Sequence, residues 1–108
     1  MKPWDIFTWD FPGAGSHPAI VISNEARVEL KDEVCELLCS SQRAGRCPKA
    51  TEVILNGADG LDWETLVKCD LIYTAPKHQL TNRRGSVTRI RRRQIAEKIV
   101  KCLAFDGL

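Results

Sequence analysis

The apolar positions of this chain fall into short runs split by turn formers, and only near the C-terminus does their period change. Residues 4–11, "WDIFTWDF", roughly alternate aromatic or aliphatic with polar side chains, which predicts a first strand. "PGAGS" (12–16) predicts a flexible loop. "PAIVIS" (18–23) is almost continuously apolar and predicts a fully buried strand. Pro18 stands at its first position, where a missing N–H is tolerated. The polar stretch 24–33, "NEARVELKDE", predicts a loop with a turn of helix. "VCELLCS" (34–40) predicts a third strand and "SQRAGRCPK" (41–49) a basic loop. "ATEVIL" (50–55) alternates and predicts a fourth strand, and "NGADG" (56–60) a turn. "LVKCDLIYT" (66–74) predicts a fifth strand, with pairing broken at Pro76, and "GSVT" (85–88) a short last one.

Beyond Thr88, a plausible helix N-cap, the period becomes helical. Ile95, Ile99, Cys102 and Leu103 recur at i, i+4, i+7 and i+8, with Arg92, Arg93, Glu97 and Lys101 on the opposite face. Five or six short strands followed by one amphipathic helix predict a mainly β (α+β) fold, a small barrel with the helix closing one side. No internal repeat interrupts the pattern, and 108 residues suffice for one domain, 1–108, with one modest core.

Composition narrows the class. At 44% hydrophobic and 28% charged the chain resembles an ordinary soluble protein, with no apolar run long enough to span a membrane. Lys2, Trp4 and Asp5 open the chain, so no signal peptide is expected and the default location is the cytoplasm. The five cysteines (Cys35, Cys39, Cys47, Cys69 and Cys102) include no CxxC pair, so no metal site and no cofactor are expected. Cys35, Cys69 and Cys102 read best as small buried hydrophobes.

The net charge of +2 is unevenly spread: residues 1–64 hold six basic and eleven acidic side chains, residues 65–108 ten basic and three acidic. Six arginines lie between Arg83 and Arg93 with no acid among them. Two readings stand: a footprint for an anionic partner, nucleic acid or acidic peptide, or a solvated basic face.

One ionisable side chain is oddly placed. His17 sits at the mouth of the second strand, at the end of the glycine-rich loop. It is either packing there or the working end of a site.

Taken in order, several segments resemble the MazF/PemK/Kid family of toxins: Lys2 to Phe11, "KPWDIFTWDF"; His17 to Ser23, "HPAIVIS"; Leu37 to Ser41, "LLCSS"; Cys69 to Thr74, "CDLIYT"; then Arg84, Gly85 and a final helix over 89–103. The resemblance spans nearly the whole chain. It implies an SH3-like barrel of five to seven short strands (CcdB/MazF-like) with a C-terminal amphipathic helix, working as a homodimer. The implied activity is metal-independent, sequence-specific cleavage of single-stranded mRNA, as the toxin of a type II toxin-antitoxin system neutralised by an acidic antitoxin. Relatives of the same fold poison DNA gyrase, so a non-catalytic binder, gyrase poison or regulatory RNA- or protein-binding barrel, is the alternative.

Metal-free RNA cleavage to a 2′,3′-cyclic phosphate needs a base for the 2′-OH, an acid for the leaving 5′-oxygen and a donor or cation for the phosphate. By resemblance His17 stands where much of the family has arginine, and histidine as a residue type can exchange a proton near neutrality, which arginine cannot. Ser40 or Cys39 occupies the position of the family's active-site hydroxyl. Ser40 is preferred because a hydroxyl donates to a phosphoryl oxygen better than a neutral thiol. Lys68 and Asp70 match the Arg-x-Asp pair of the Kid branch and, at i and i+2 on a strand, share a face. These four are the expected catalytic set. Ser16, Ser41, Arg43, Arg46, Lys49, Arg83 and Arg84 are the expected RNA contacts, and Trp4, Trp9 and Trp63 the candidates for base stacking, with packing the better reading of Trp9.

Overall fold

The computed structural model describes residues 1–40, 46–105 and 107. Six strands form one antiparallel sheet: β1 (Asp5–Phe11), β2 (Gly15–Val21), β3 (Glu33–Cys39), β4 (Glu52–Leu55), β5 (Thr65–Pro76) and β6 (Thr81–Ser86), in the spatial order β4-β5-β3-β2-β1-β6. A short helix α1 (Glu25–Leu30) joins β2 to β3, and a long one, α2 (Arg89–Cys102), follows β6. The mainly β barrel-like sheet with a C-terminal helix is the expected architecture.

The sheet carries a core on each face because its strands alternate apolar residues both ways. Ile6, Ile20, Leu37, Val53, Val67 and Cys69 point to one side, where Ile95 of α2 seals them. Trp9, Phe11, Ala19, Val21, Val34 and Leu38 point to the other, under Val28 of α1 and Leu80. Every strand but β6 supplies residues to the first layer, the interior of the curled sheet, and we call it the inner core.

Several expectations need correcting. β2 begins at Gly15, not Pro18, and pairs with β1 from Gly15 to Ile20 (Phe11↔Gly15 to Ile6↔Ile20). Pro18 is tolerated within it because β3 pairs only from Ala19 onward, so Pro18 stands beyond that ladder. "PGAGS" is therefore a tight turn rather than a flexible loop: Gly13 and Gly15 take φ of +74° and +85°, and Ala14 donates its N–H to Phe11 O at 3.1 Å. Pro76 does not break pairing, since it still stands opposite Glu33 as the last residue of β5. The last strand lies at Thr81–Ser86 rather than 85–88. It is a polar edge strand, "TNRRGS", with no apolar alternation to announce it.

Helix α2 does begin after Thr88, but the Thr88 side chain caps nothing. Instead Asp59, fully buried, accepts the Thr88 N–H on Oδ1 (2.9 Å) and the Asn56 N–H on Oδ2 (3.1 Å). One carboxylate thus ties the turn after β4 to the start of α2. Gly60 and Gly85 meet beside it: a Cβ on Gly60 would sit 2.7 Å from Arg84 O, and one on Gly85 would overlap Asp59 O. This contact links the loop after edge strand β4 to edge strand β6 and completes the curl. Arg92, expected on the exposed face, is half-buried, its Nε donating to Val87 O at 2.8 Å. Trp9 is buried and bonds Gln79 Oε1 through its indole N–H (3.0 Å), so it packs rather than stacks; Trp63 is exposed.

Candidate functional site

The β2–β3 ladder pairs Ala19 with Leu38, Ile20 with Leu37 and Val21 with Glu36. The ladder ends there, and His17 and Ser40 each stand two residues beyond its last pair. Both lie on the outer face, in the alternation of Ala19 and Leu38. Ser40 is half-buried and is fixed on its other side by β5, donating its N–H to Leu66 O (2.8 Å). Cys39, one residue away, points into the inner core, is fully buried, and burial pushes its thiol far above the usual range. The two alternatives for the hydroxyl position therefore differ in access: Ser40 is on the surface and Cys39 is not.

The turn before β2 places the imidazole. His17 Nε2 lies 2.9 Å from Ala14 O. A carbonyl only accepts, so this nitrogen carries the proton, and in the neutral ring Nδ1 is the basic atom. The ring also stands 6.4 Å from that of Phe11, which in turn packs edge-on against Trp9 and Tyr73 at 4.7 and 5.0 Å. Ser16, by alternation, points to the opposite face from His17, so the structure separates these two.

Lys68 lies on the outer face of β5, between Val67 and Cys69, which point inward; Asp70 opens the exposed stretch that follows. Burial raises the Cys69 thiol to about 12. The strand is irregular here: Cys39 opposes Val67, but Leu37 opposes Ile72, so β5 arches between them and leaves Asp70, Leu71 and Ile72 exposed. Lys68 does not pair with Asp70. Its Nζ donates to Glu52 Oε2 at 3.3 Å, across the β4–β5 ladder.

Glu52 is the residue the sequence reading missed. Arg46 donates from both terminal nitrogens to its two oxygens (2.7 and 2.8 Å), and the Lys49 N–H reaches Oε1 at 2.8 Å. The Arg46 hydrogen bonds foremost, with Lys49 and Lys68, hold the Glu52 carboxyl at about 2. The only sequence signal is a carboxylate on the outward phase of an alternating strand, three residues past a basic loop. Three expected site residues, Arg46, Lys49 and Lys68, thus converge on one acid. Ser41 and Arg43 lie outside the described residues.

Arg83 and Arg84 are not part of this group. They sit on β6, the strand that the curl brings back against the loop after β4, where Arg83 pairs with Asp5 (3.2 Å) and Arg84 approaches Asp62 (3.9 Å). A groove of about 370 Å³ separates β4 from α2, with Pro48, Glu52 and Ile54 on one wall and Arg91, Lys98 and Lys101 on the other. A second missed residue is Glu36, fully buried on the outer face opposite Tyr73, with neither carboxylate oxygen hydrogen-bonded; desolvation raises it to about 8. Among the described residues no group of three or more His, Cys, Asp or Glu could hold a metal ion, and no helix is long and apolar enough to cross a membrane.

Residues 2–103 match the family described as PemK-like, MazF-like toxin of type II toxin-antitoxin system. Among curated protein sequences none matches. Three solved structures share the fold. An endoribonuclease in complex with its cognate antitoxin, from a Mycobacterial species, is 23% identical, with a TM-score of 0.83 over 100% of this chain and 99% of its own. The Mycobacterium tuberculosis toxin MazF-mt6 is 22% identical, with a TM-score of 0.80 over 94% and 98%. A MazE-MazF structure from Deinococcus radiodurans is 17% identical, with a TM-score of 0.75 over 98% and 97%.

Proposed function

The chain belongs to the PemK-like, MazF-like toxin family of type II toxin-antitoxin systems, and from that premise we propose that it is a sequence-specific endoribonuclease. It cleaves single-stranded mRNA in the cytoplasm without a metal ion, works as a homodimer and is held in check by an acidic antitoxin. The solved relatives described as endoribonuclease or bound to antitoxin support the reading. The observation that supports it is local: the β2–β3 ladder ends at Ala19↔Leu38, two residues short of His17 and of Ser40, and the Ser40 N–H bonds Leu66 O on β5, the strand that also bears Lys68 and Asp70.

Each group has a task. His17 Nδ1 takes the proton of the 2′-OH, while Ala14 O, bonded to Nε2–H, steadies the imidazolium that forms. The 2′-oxygen attacks the adjacent phosphorus and the bond to the 5′-oxygen breaks, leaving a 2′,3′-cyclic phosphate. The Ser40 hydroxyl donates to a phosphoryl oxygen, and Lys68 supplies positive charge as the crowded phosphate gains negative charge. Asp70, two residues along the strand, is assigned as the acid: in its protonated form it gives its proton to the leaving 5′-oxygen and becomes a carboxylate.

One observation favours the alternative of a non-catalytic binder: the His17 ring packs at Phe11 and bonds Ala14 O, as a structural histidine would. A single assay separates the readings. Purified protein is incubated with a long single-stranded RNA in EDTA and the ends are mapped. Cuts at one short motif with cyclic-phosphate ends support the nuclease. Intact RNA together with inhibited gyrase supercoiling supports the binder.

A further inference from the structure

Glu52 is almost fully buried, with a side chain 2% exposed, yet the two cations on it remain partly open, Arg46 at 35% and Lys68 at 37%. The carboxylate lies beneath and the positive groups above. An ammonium has three N–H donors and a guanidinium five, so both cations keep donors beyond those aimed at Glu52. Charges of +1, +1 and −1 leave the triad at +1, ready for one phosphodiester. A lysine on a free four-carbon stem samples many directions, and one tethered at its tip does not.

We propose that Glu52 is the positioning residue of the site: it fixes Arg46 and Lys68 in one arrangement so that both present their remaining donors to the same phosphate. This rests on the RNA-cleavage reading above. Glu52 itself touches no substrate; it acts through Lys68, its partner across the β4–β5 ladder, and through the loop it clasps at Arg46 and Lys49. Because rate is more sensitive than affinity to an ångström of misplacement, the loss on removing Glu52 falls on kcat.

The test uses an RNA oligonucleotide carrying the site mapped in the cleavage assay. E52Q is expected to lower kcat about 10- to 100-fold. KM stays level or falls, because a negative charge has left the RNA face. The double variant E52Q/K68Q should lose less than the product of the two single losses, since Glu52 acts in part through Lys68. Wild-type kcat in E52Q, or costs that simply multiply in the double variant, overturns the positioning role while leaving cleavage by the wild type intact. Failure of the wild type to cut RNA overturns the functional reading and this proposal with it. If E52Q does not fold, E52D decides: it keeps the charge but shortens the reach by one methylene, and must lower kcat with KM unchanged. Wild-type kcat in E52D then overturns the proposal.

Discussion

Arg46 grips Glu52 through two parallel hydrogen bonds of 2.7 and 2.8 Å, from a guanidinium one-third exposed to a carboxylate almost fully buried. That geometry fixes the loop after residue 45 to the edge strand β4. It also makes the acid response of the protein predictable. The folded-state value of Glu52, about 2, is below its ordinary 4.5. The unfolded chain therefore binds the proton more readily, and the stabilisation is present above pH 4.5 and lost as pH falls toward 2. Melting temperatures of the wild type and E52A should differ most near neutrality and converge as pH approaches 2. Parallel curves would contradict this.

Glu36 has the opposite sign. Its folded value of about 8 exceeds the ordinary 4.5 because burial penalises the charged form. Stability is full below pH 4.5 and declines as pH rises through 8, a loss on the order of 4 kcal/mol between about pH 5 and pH 9. E36Q, which cannot ionise, should flatten that decline in urea titrations across the same range. Wild-type stability that does not fall from pH 5 to 9 would remove the prediction.

Gly85 is required by the close approach of Asp59 and Gly60. G85A must push the two backbones apart where the loop after β4 meets β6, at a cost of about 3 kcal/mol. The denaturant midpoint should drop with the slope unchanged. Because Asp59 also holds the Thr88 N–H, amide exchange in the first turn of α2 should rise with it. Protection unchanged in that turn would show the two contacts to be independent.

His17→Ala should lower RNA cleavage about 100-fold or more while leaving the melting temperature within a few degrees, since the ring is only half-buried. Cleavage retained in H17A would assign the imidazole to packing against Phe11. Ser40→Ala should also lower the rate. Cys39→Ser should instead destabilise the protein, because Cys39 lies in the inner core.

The sequence by itself determined much of this protein. Short apolar runs, alternating or continuous, marked five of the six strands, the 3.6-residue stripe through Ile95 and Ile99 marked α2, and an ordered set of motifs from "HPAIVIS" to "CDLIYT" identified the family. These are local signals: each depends on which face of one element is apolar, and the chain carries that information in a few neighbouring residues. β6 was misplaced because a polar edge strand has no such pattern, and its pairing with β1 is what makes it a strand. The tertiary structure alone decided that Cys39 is buried while Ser40 is on the surface. It also decided that Asp59 rather than Thr88 serves the start of α2, and that Lys68 answers to Glu52 rather than Asp70. Each of these turns on which strand lies beside which and in what register. Such pairings join residues far apart in the chain, through interactions that no short window of sequence contains.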